Sequence, residues 1–564
     1  MPFCTPQDLG DSTESLGEIL LGDQVENSAF EIKMNVNESC KVLCEPISLK
    51  DKGNNVTLKD MIDNEYQVNW LVDNLPAATP YTRAGSSEPT LHNGFPVGLK
   101  RGGRYYLHNH FKLTLKHHTN ADEFVGFRIV GAEVMPRSVV HSWTEDQSGH
   151  KASCEGMNTP PFDLDSDHKI TYSYDVVWVE SEVTWATRWD NYLRMSDAQV
   201  HWFSIINSVM VVLFLSAMVA MILARALRRD ITKYNEIAAG DEVLEESGWK
   251  LVHADVFRKP VHSQILAMSV GSGTQLLVMS FVTVVLAAVG FVSPAYRGGI
   301  VQTMLMVFTF LGIIAGYVSA RFYKMFKGEN WKRVTLITAF LYPGVLFIVF
   351  FIVNLFLWAR KSTGAVPFLS IVALMLLWFG ISVPLVFVGA YLGFSKPPVD
   401  LPVRTNKIPR QIPVQPWFLR PWFTCGVGAI LPFGAVFTEL FFIMSSVWQH
   451  QFYYLFGLLM LVLIILVVTC AEISITLTYF QLTSEDYNWW WRSFFASACS
   501  GVYVFIYSWI YFSTRLQITQ FVSTVIYFGY MGLLSYTLFL ITGSVGTLAT
   551  FLFLRLIYGS IKID

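Results

Sequence analysis

Long runs of uncharged apolar residues recur from Ser204 to the end of the chain, and they constrain its fold more than any other feature. The first run, SIINSVMVVLFLSAMVAMIL at 204–223, matches the roughly 20 residues that an α-helix needs to cross a hydrocarbon core. Only 15% of the residues are charged, against about 25% in soluble proteins. With a net charge of −2, this pattern excludes a soluble enzyme and a nucleic-acid partner, and predicts a polytopic membrane protein.

Residues 1–200 differ from the rest, because they are polar and carry strand patterns. The segments 105–115, 124–134 and 169–180 are rich in β-branched and aromatic residues, and Gly, Pro and Asn residues separate them. In the last segment, alternation places Ile170, Tyr172 and Tyr174 on one face. We therefore predict a β-rich, sandwich-like N-terminal domain over 1–200.

Residues 201–564 form the predicted membrane domain with nine α-helical spans. The spans are predicted at about 203–224, 265–292, 301–322, 334–358, 367–393, 423–446, 452–480, 493–513 and 521–557. The last is long for one crossing, and Gly543 and Gly546 interrupt it. It is therefore either one broken, tilted helix or two short crossings, and this choice decides on which side the chain ends.

The distribution of basic residues predicts the orientation. The loops after the first, third and fifth spans contain 17 Lys and Arg residues, whereas the alternate loops contain four. Because cytosolic loops are enriched in Lys and Arg, the first set is predicted to be cytosolic. The 1–200 domain is then lumenal or extracellular, and nine spans return the C-terminus to the cytosol.

A lumenal domain of this size needs a signal peptide for translocation, and MPFCTPQDLG lacks both a basic and an apolar region. We therefore expect the sequence to be a mature or truncated form. Four of its seven cysteines, Cys4, Cys40, Cys44 and Cys154, lie in this domain and predict two disulfides in one of three pairings. The sequons at Asn37 and Asn55 are candidate N-glycosylation sites.

Several long motifs in the chain carry a family resemblance. They are RWDNYLRMSDAQVHWFSIINSVMVVLFLS (188–216), ESGWKLVHADVFRKP (246–260), GAVPF (364–368), WFGISVPLVFVGAYLGF (378–394), PVRTNKIPRQIP (402–413), QFYYLFG (451–457), EDYNWWWR (485–492) and KID (562–564). In this order, they closely resemble the nonaspanins, the transmembrane nine superfamily or endomembrane protein 70 family. The resemblance extends from PFC at residue 2 to Asp564.

The resemblance implies a lumenal β-rich domain, nine spans and residence in Golgi and endosomal membranes. It further implies a non-enzymatic role in sorting, localisation and surface delivery of other membrane proteins, linked to adhesion and phagocytosis. The family's Lys-x-Asp/Glu tail, which binds coatomer, matches Lys562 and Asp564. The expected partners are therefore membrane lipids, coatomer and client transmembrane proteins. The alternative interpretation of these residues is a lysine at a helix end that reaches the lipid phosphates.

Two carboxylates lie inside predicted spans, Glu439 in the sixth and Glu472 in the seventh. Charged residues within spans are costly and often functional. Since their predicted depths differ by about 16 Å at 1.5 Å per residue, they do not form a carboxylate pair. They favour either hydrogen bonding between helices or, in the alternative function, the coupling sites of a secondary transporter or ion-handling channel.

Small residues recur in the spans at GSGTQ (271–275), Gly312-x-x-x-Gly316, GISVP (380–384), LPFG (431–434) and TGSVG (542–546). Close helix packing is the simplest explanation of this pattern. An unwound binding site near the bilayer midplane, or a small-residue groove for client helices, is the alternative.

His108 and His110 are weak candidates for metal ligands, because residues two apart share a face of a strand. The tryptophan run 489–491 is typical of an aromatic belt at the cytosolic interface. The segment 402–417 is basic and rich in proline, which favours an ordered cytosolic loop or a partner site. No cofactor-binding or catalytic motif is recognisable, so we expect no cofactor and no catalytic residue.

Overall fold

The protein is described from a computed structural model. The described residues are 3–6, 14–22, 25–48, 54–81, 90–120, 124–146, 149–154, 161–165, 169–193, scattered positions within 206–232, 248–292, 296–362, 364–448, 456–516 and 518–560. Contacts divide the chain into two units, the first of Met1–Thr13 and Val25–Ala198 and the second of Glu14–Gln24 and Gln199–Asp564.

Helix α1 (Leu16–Leu21) belongs to the second unit, although the sequence places it in the predicted N-terminal domain. Ser15 and Glu18 form a capping box at its start, and Gly22 ends it in the left-handed conformation. Gly17 contacts the backbone of Gly298, whose carbonyl oxygen would lie 2.1 Å from an added Cβ. Such packing between distant segments leaves no local signal in the sequence.

The first unit is β-rich, as predicted. Its described strands are β1 Glu38–Val42, β2 Gln67–Val68, β3 Leu71–Val72, β4 Leu75–Pro76, β5 Ala78–Tyr81, β6 Thr90–Asn93, β7 Phe95–Pro96, β8 Gly98–Arg101, β9 Arg104–Leu107, β10 His110–His118, β11 Arg128–Arg137, β12 Ser142–Asp146, β13 Gly149–Ser153 and β14 Ser173–Glu180. Helices α2 (Asn54–Asp63) and α3 (Asp190–Leu193) accompany them. The largest sheet has the strand order β1-β14-β10-β11-β5-β6, and four two-stranded sheets complete the set.

An aromatic core covers one face of the six-stranded sheet. Phe111 on β10 is buried, and its ring centroid lies 4.8 Å from that of Trp70 and 5.1 Å from that of Phe95. Tyr172 and Tyr174 are buried in the same core, on the face predicted from their alternation. Each aromatic side chain removes a large apolar area from water, so these contacts dominate the stability of the unit.

The second unit consists of apolar helices. They are α4 Ser263–Ala288, α5 Gly299–Phe310, α6 Gly312–Met325, α7 Trp331–Ala359, α8 Phe368–Leu377, α9 Val383–Ser395, α10 Pro421–Gly428, α11 Ile430–Trp448, α12 Phe456–Thr483, α13 Trp489–Arg515 and α14 Phe521–Ser560. Among the described residues, seven helices are long and apolar enough to cross a membrane, and the bent pair α5–α6 adds an eighth. These correspond to the second to ninth predicted spans. The first, 203–224, lies mostly outside the described residues.

The last predicted span is one unbroken helix, α14, which resolves the choice that the sequence left open. Its 40 residues extend about 60 Å at 1.5 Å per residue, longer than a hydrocarbon core is thick. Gly543 and Gly546 do not break the helix, since both lie within its hydrogen-bonded length. They instead admit the neighbouring helix α13 at close range, since an added Cβ would lie 2.7 Å from the Phe494 ring at Gly543 and 2.3 Å from the Ser497 hydroxyl at Gly546.

A tryptophan compensates for the proline inside α7. Pro343 has no N–H, so the carbonyl of Ala339, four residues earlier, loses its donor within the helix. Trp378 begins a π-helical turn, Trp378–Ser382, between α8 and α9, and its indole N–H donates to the Ala339 carbonyl at 3.1 Å. This bond satisfies a buried carbonyl that has no water to bond with inside a bilayer.

We expect Trp378→Phe to lower the free energy of unfolding by about 1–3 kcal/mol, because it leaves the Ala339 carbonyl buried without a donor. Thermal unfolding of the full chain in one detergent measures the loss. Trp509→Phe is the matched control, since Trp509 is 64% exposed within its helix and should change stability little. Equal losses in both variants would contradict the role of the bond.

Candidate functional site

Three of the motifs that carry the resemblance meet at one end of the second unit. They lie in the segments 249–262, 402–415 and 484–492, which we call the loop cap. The first segment precedes α4, the second lies between α9 and α10, and the third leads from α12 into α13. Backbone and side-chain hydrogen bonds join all three, so the cap is an ordered part of the fold.

The tryptophan run anchors the first segment of the loop cap. Each of its indole N–H groups donates to a backbone carbonyl there: Trp489 to Val256 at 2.8 Å, Trp490 to Arg258 at 3.0 Å and Trp491 to Val261 at 2.7 Å. Trp489 and Trp490 are buried, and their ring centroids lie 3.9 Å apart. The interpretation of this run as an aromatic belt is therefore wrong for these two residues, which pack inside the protein.

Asp255 connects the first segment to the second. Its carboxylate is buried, pairs with Arg258 and accepts a hydrogen bond from the backbone N–H of Arg410 at 3.4 Å. Arg258 also donates to the carbonyl of Asn406 at 2.9 Å, and the Asn406 N–H donates to the carbonyl of Ala254 at 3.0 Å. The proline-rich segment is thus fixed by backbone bonds, in agreement with its predicted order.

The third segment binds the second segment and also the carbonyl of Leu419, just before α10, to which Arg492 donates at 3.1 Å. Glu485 forms an ion pair with Arg410 at 3.1 Å, and the Tyr487 hydroxyl donates to the Arg410 carbonyl at 3.1 Å. Asp486 and Arg492 form a second pair at 2.9 Å, in which the Asp486 side chain is only 3% exposed. A buried ion pair contributes little net stability, but loss of either partner is costly, so this pair fixes the conformation of the segment.

The end of α14 is attached to the same cap. The Tyr558 hydroxyl donates to the Trp249 carbonyl at 2.7 Å, and the two ring centroids lie 5.4 Å apart. The last turn of the last helix therefore lies at the end of the unit that carries the basic loops. Ser560 ends α14 two residues later.

A polar seam of small residues joins α4, α12, α13 and α14. The Ser544 hydroxyl donates to the Ser269 carbonyl at 3.1 Å, and the Ser497 hydroxyl donates to the Thr542 carbonyl at 2.8 Å. These serines and Thr542 are buried. Hydrogen bonds of this kind join helices where lipid offers no competing partner.

Glycines set the spacing along this seam. A Cβ on Gly546 would lie 2.3 Å from the hydroxyl of Ser497 and 2.4 Å from that of Ser474. A Cβ on Gly273 would lie 2.1 Å from the carbonyl of Leu540. Two of the predicted small-residue motifs, GSGTQ and TGSVG, are therefore close-packing motifs.

The other small-residue motifs divide into two kinds. Gly312 and Gly316 also serve close packing, since Gly316 would place a Cβ 2.0 Å from the carbonyl of Val386 on α9. Gly380 and Gly434 have open space where a Cβ would be, with nothing within 4 Å. Their motifs, GISVP and LPFG, therefore do not pack helices through the glycine.

The two intramembrane carboxylates lie on adjacent helices. Glu472 on α12 is half-buried, and its carboxylate makes no hydrogen bond to another described residue. Glu439 lies on α11, and its side chain is outside the described part of the structure. The proposed tail residues Lys562 and Asp564 also lie outside the described residues.

All four predicted cysteines form disulfides, Cys4 with Cys44 and Cys40 with Cys154. The sequence left three pairings open, because the spacing of cysteines does not determine which ones meet. The thiols of Cys425, Cys470 and Cys499 are free.

The two sequons differ in their surroundings. Asn37 is exposed, and its side-chain oxygen accepts a bond from the Trp178 N–H at 2.8 Å. Asn55 lies half-buried in α2, and its side-chain nitrogen donates to the Leu164 carbonyl at 3.1 Å. The more accessible acceptor is therefore Asn37.

His108 and His110 do not share a set of partners. The strand is interrupted between them, because β9 ends at Leu107 and β10 begins at His110, so the argument from alternation does not hold. His108 bonds to the Pro96 carbonyl at 2.8 Å, and burial lowers its pKa below the ordinary range despite that bond. His110 instead contacts Asp175 at 3.2 Å.

His141 is the histidine that lies near His110, and the sequence analysis did not identify it. Burial, with a smaller contribution from the repulsion that arises when His110 is also protonated, lowers the pKa of His141 to about 4. Burial alone would raise the pKa of Asp175, but hydrogen bonds from His110 and from the Cys40 N–H hold it below its usual range. His141 and Asp175 follow His110 by 31 and 65 positions in the sequence. No spacing rule relates residues so far apart, so only the fold shows that they form a group.

Comparisons with known proteins give a consistent result. The family model described as Endomembrane protein 70 matches residues 1–521. Among curated proteins, Transmembrane 9 superfamily member 9 of Arabidopsis thaliana is 51% identical over 583 residues, which cover 100% of this chain and 90% of that protein. Transmembrane 9 superfamily member 4 of Homo sapiens is 44% identical, with coverage of 100% and 91%. No solved structure is a significant match.

We expect Gly546→Ala to lower the free energy of unfolding by about 1–3 kcal/mol, because the added methyl group overpacks the seam between α12, α13 and α14. Gly434→Ala is the matched control, since its Cβ meets open space and alanine favours a helix. Thermal unfolding of both variants in the same detergent tests this difference. A Gly546→Ala variant as stable as Gly434→Ala would show that the seam can open without cost.

Proposed function

Because this chain belongs to the endomembrane protein 70 family of transmembrane 9 superfamily proteins, we propose that it sorts other membrane proteins in Golgi and endosomal membranes. In this role it determines where its clients are located and how many of them reach the cell surface. It acts by binding rather than by catalysis, and coatomer returns it to the Golgi through the segment that contains Lys562 and Asp564.

The attachment of α14 to the loop cap is the observation that carries this proposal. Tyr558 holds the end of α14 beside Trp249, in the first of the loops that are rich in Lys and Arg. Basic loops favour the cytosolic side, and α14 is one unbroken helix. These facts support a cytosolic position for the residues that follow Ser560, and coatomer acts in the cytosol.

The chemistry of the segment suits such a partner. Lys562 and Asp564 place a cation and a carboxylate two residues apart, directly after the helix. A coat subunit with complementary charges can pair with both at once, whereas a lysine that only reaches lipid phosphates has no need of the carboxylate. The carboxylate therefore distinguishes the two interpretations.

We expect the double variant Lys562→Ala, Asp564→Ala to move from the Golgi to endosomes and the cell surface. The full-length protein, with a signal peptide and a tag in the first unit, would be imaged in living cells with and without permeabilisation. Asp564→Ala alone should move similarly if coatomer is the partner, but should stay if the lysine only binds lipid. A double variant that stays in the Golgi would contradict recycling through this segment.

Client recognition needs polar groups that can reach another helix in the membrane. Glu472 meets this need, because it lies half-buried on α12 and bonds to no other described residue. A hydrogen bond between helices contributes about 0.6–2 kcal/mol in a membrane. A client helix with a polar residue at this depth would therefore gain affinity from Glu472 without any rearrangement of the protein.

We expect Glu472→Gln to preserve client delivery, because glutamine still forms hydrogen bonds. Glu472→Leu cannot form them, so we expect it to reduce client binding roughly threefold or more, and delivery with it. Surface labelling of membrane proteins, in cells that contain only the variant, measures delivery. The secondary transporter predicts the opposite for glutamine, because a coupling site needs the charge. Loss of function in Glu472→Gln, with location and thermal stability unchanged, would overturn sorting in favour of transport.

A further inference from the structure

Three potential metal ligands surround one buried hydroxyl in the first unit. The Ser173 Oγ atom lies 2.8 Å from His110 Nδ1, 2.6 Å from His141 Nε2 and 3.4 Å from Cys154 Sγ. Ser173 is 1% exposed, whereas His141 and Cys154 are half-buried and can be reached from solvent. One ligand atom from each of His110, His141 and Cys154 lies within 4.8 Å of the others.

The sheet and a disulfide bring these side chains together. His110 and Ser173 are register partners in the parallel pair of β10 and β14. Cys154 is held there by its disulfide with Cys40, and the backbone N–H of Cys40 donates to Asp175 at 2.7 Å. The sheet therefore fixes His110 and Ser173 before any ion binds, and the disulfide places Cys154 beside them until it is reduced.

Asp175 orients the His110 ring for metal binding. His110 Nε2 lies 3.2 Å from an Asp175 carboxylate oxygen, which only accepts hydrogen bonds, so Nε2 carries the proton. Nδ1 then presents its lone pair towards Ser173, whose hydroxyl donates to it and accepts from His141 Nε2–H. A carboxylate on the far nitrogen is the usual support of a metal-bound histidine.

We propose that reduction of the Cys40–Cys154 disulfide turns this cluster into a Zn²⁺ site formed by Cys154 Sγ, His110 Nδ1 and His141 Nε2. A dithiol supplies the two electrons: the S–S bond breaks, both cysteines become thiols, and the dithiol becomes a disulfide. On binding, Zn²⁺ displaces the proton of the Cys154 thiol to water, and the proton on His141 Nε2 moves to Nδ1, so that the neutral ring presents Nε2 to the ion. The oxidised protein lacks the thiolate, so the disulfide controls the site.

The ligand set and spacing fit Zn²⁺. Zinc binds thiolate sulfur at about 2.3 Å and histidine nitrogen at about 2.0–2.1 Å, so tetrahedral ligand atoms lie roughly 3.3–3.8 Å apart. From the present upper limit of 4.8 Å, the ligand atoms must approach one another by about 1–1.5 Å, and the Ser173 Oγ atom between them must move aside to admit the ion. Two histidines and one cysteine leave a fourth position for water or for the Ser173 hydroxyl.

The second disulfide provides a matched control. Cys40→Ser leaves Cys154 as a free thiol beside two histidines without any reductant. Cys4→Ser frees Cys44 in the same unit, and Cys44 belongs to no group of three potential ligands among the described residues. Both variants lose one disulfide and gain one thiol, but only the thiol of Cys154 lies beside two histidines.

The full chain in detergent would be tested with Zn²⁺ after dialysis against metal-free buffer. We expect one Zn²⁺ per chain for Cys40→Ser and for the reduced natural chain, and none for Cys4→Ser or the oxidised chain. Adding His141→Gln to Cys40→Ser should weaken binding at least about tenfold, and Asp175→Asn, a positioning variant, should weaken it by roughly 10–100-fold. Co²⁺ in place of Zn²⁺ should give the charge-transfer absorption of a metal–thiolate bond.

Equal zinc content in Cys40→Ser and Cys4→Ser would overturn the proposal, as would binding that persists after His141→Gln. The cluster would then be an ordinary hydrogen-bonded network that supports the sheet. If Cys40→Ser does not fold, the zinc content of the reduced natural chain, measured with and without His141→Gln, provides the test instead. Absence of zinc from that reduced chain would equally overturn the site.

Discussion

The second unit depends on the close approach of α14 to α4, α12 and α13. Lipid tails are as apolar as the side chains, so helices in a membrane gain little from burying apolar surface against each other. Attraction must come from short-range packing and hydrogen bonds, and both require small residues at the contact. Gly273 and Gly546 supply the space, and Ser497 and Ser544 supply the bonds. The same contacts explain why α14 contains glycines without a break: the glycines allow neighbouring helices to approach and do not interrupt the helix.

The loop cap follows from this arrangement, because the packed helices bring three distant loops to one end. Consecutive tryptophans can then donate to three separate carbonyls of the 249–262 segment, and Asp255 can join two loops. The motifs that most clearly mark the family thus maintain an ordered surface. Such a surface is consistent with a protein that acts through partners.

Sequence patterns predicted those features that depend on local chemistry. The bounds predicted from apolar runs lie within a few residues of the apolar helices α4 to α14, and Tyr172 and Tyr174, which alternation placed on one face, are buried in the core. The same reasoning failed where the chain departs from regular structure. His108 lies in the break between β9 and β10, before β10 begins, so its predicted pairing with His110 is absent. The sequence predicted Trp489 and Trp490 to lie in an interfacial aromatic belt, but their indole N–H groups donate to backbone carbonyls inside the protein. Helix α1 was missed because its partner, α5, lies far along the chain.

The sequence by itself determined that this chain is a membrane protein with a β-rich N-terminal domain, because apolar length and alternation are properties of neighbouring residues. It also determined the family, since the long motifs occur along the chain in the same order as in the family. Only the tertiary structure decided which cysteines pair, whether α14 is one helix, which glycines pack and which histidine joins His110. These features depend on contacts between residues far apart in the chain. A pattern of neighbouring residues does not show which distant residues come into contact when the chain folds.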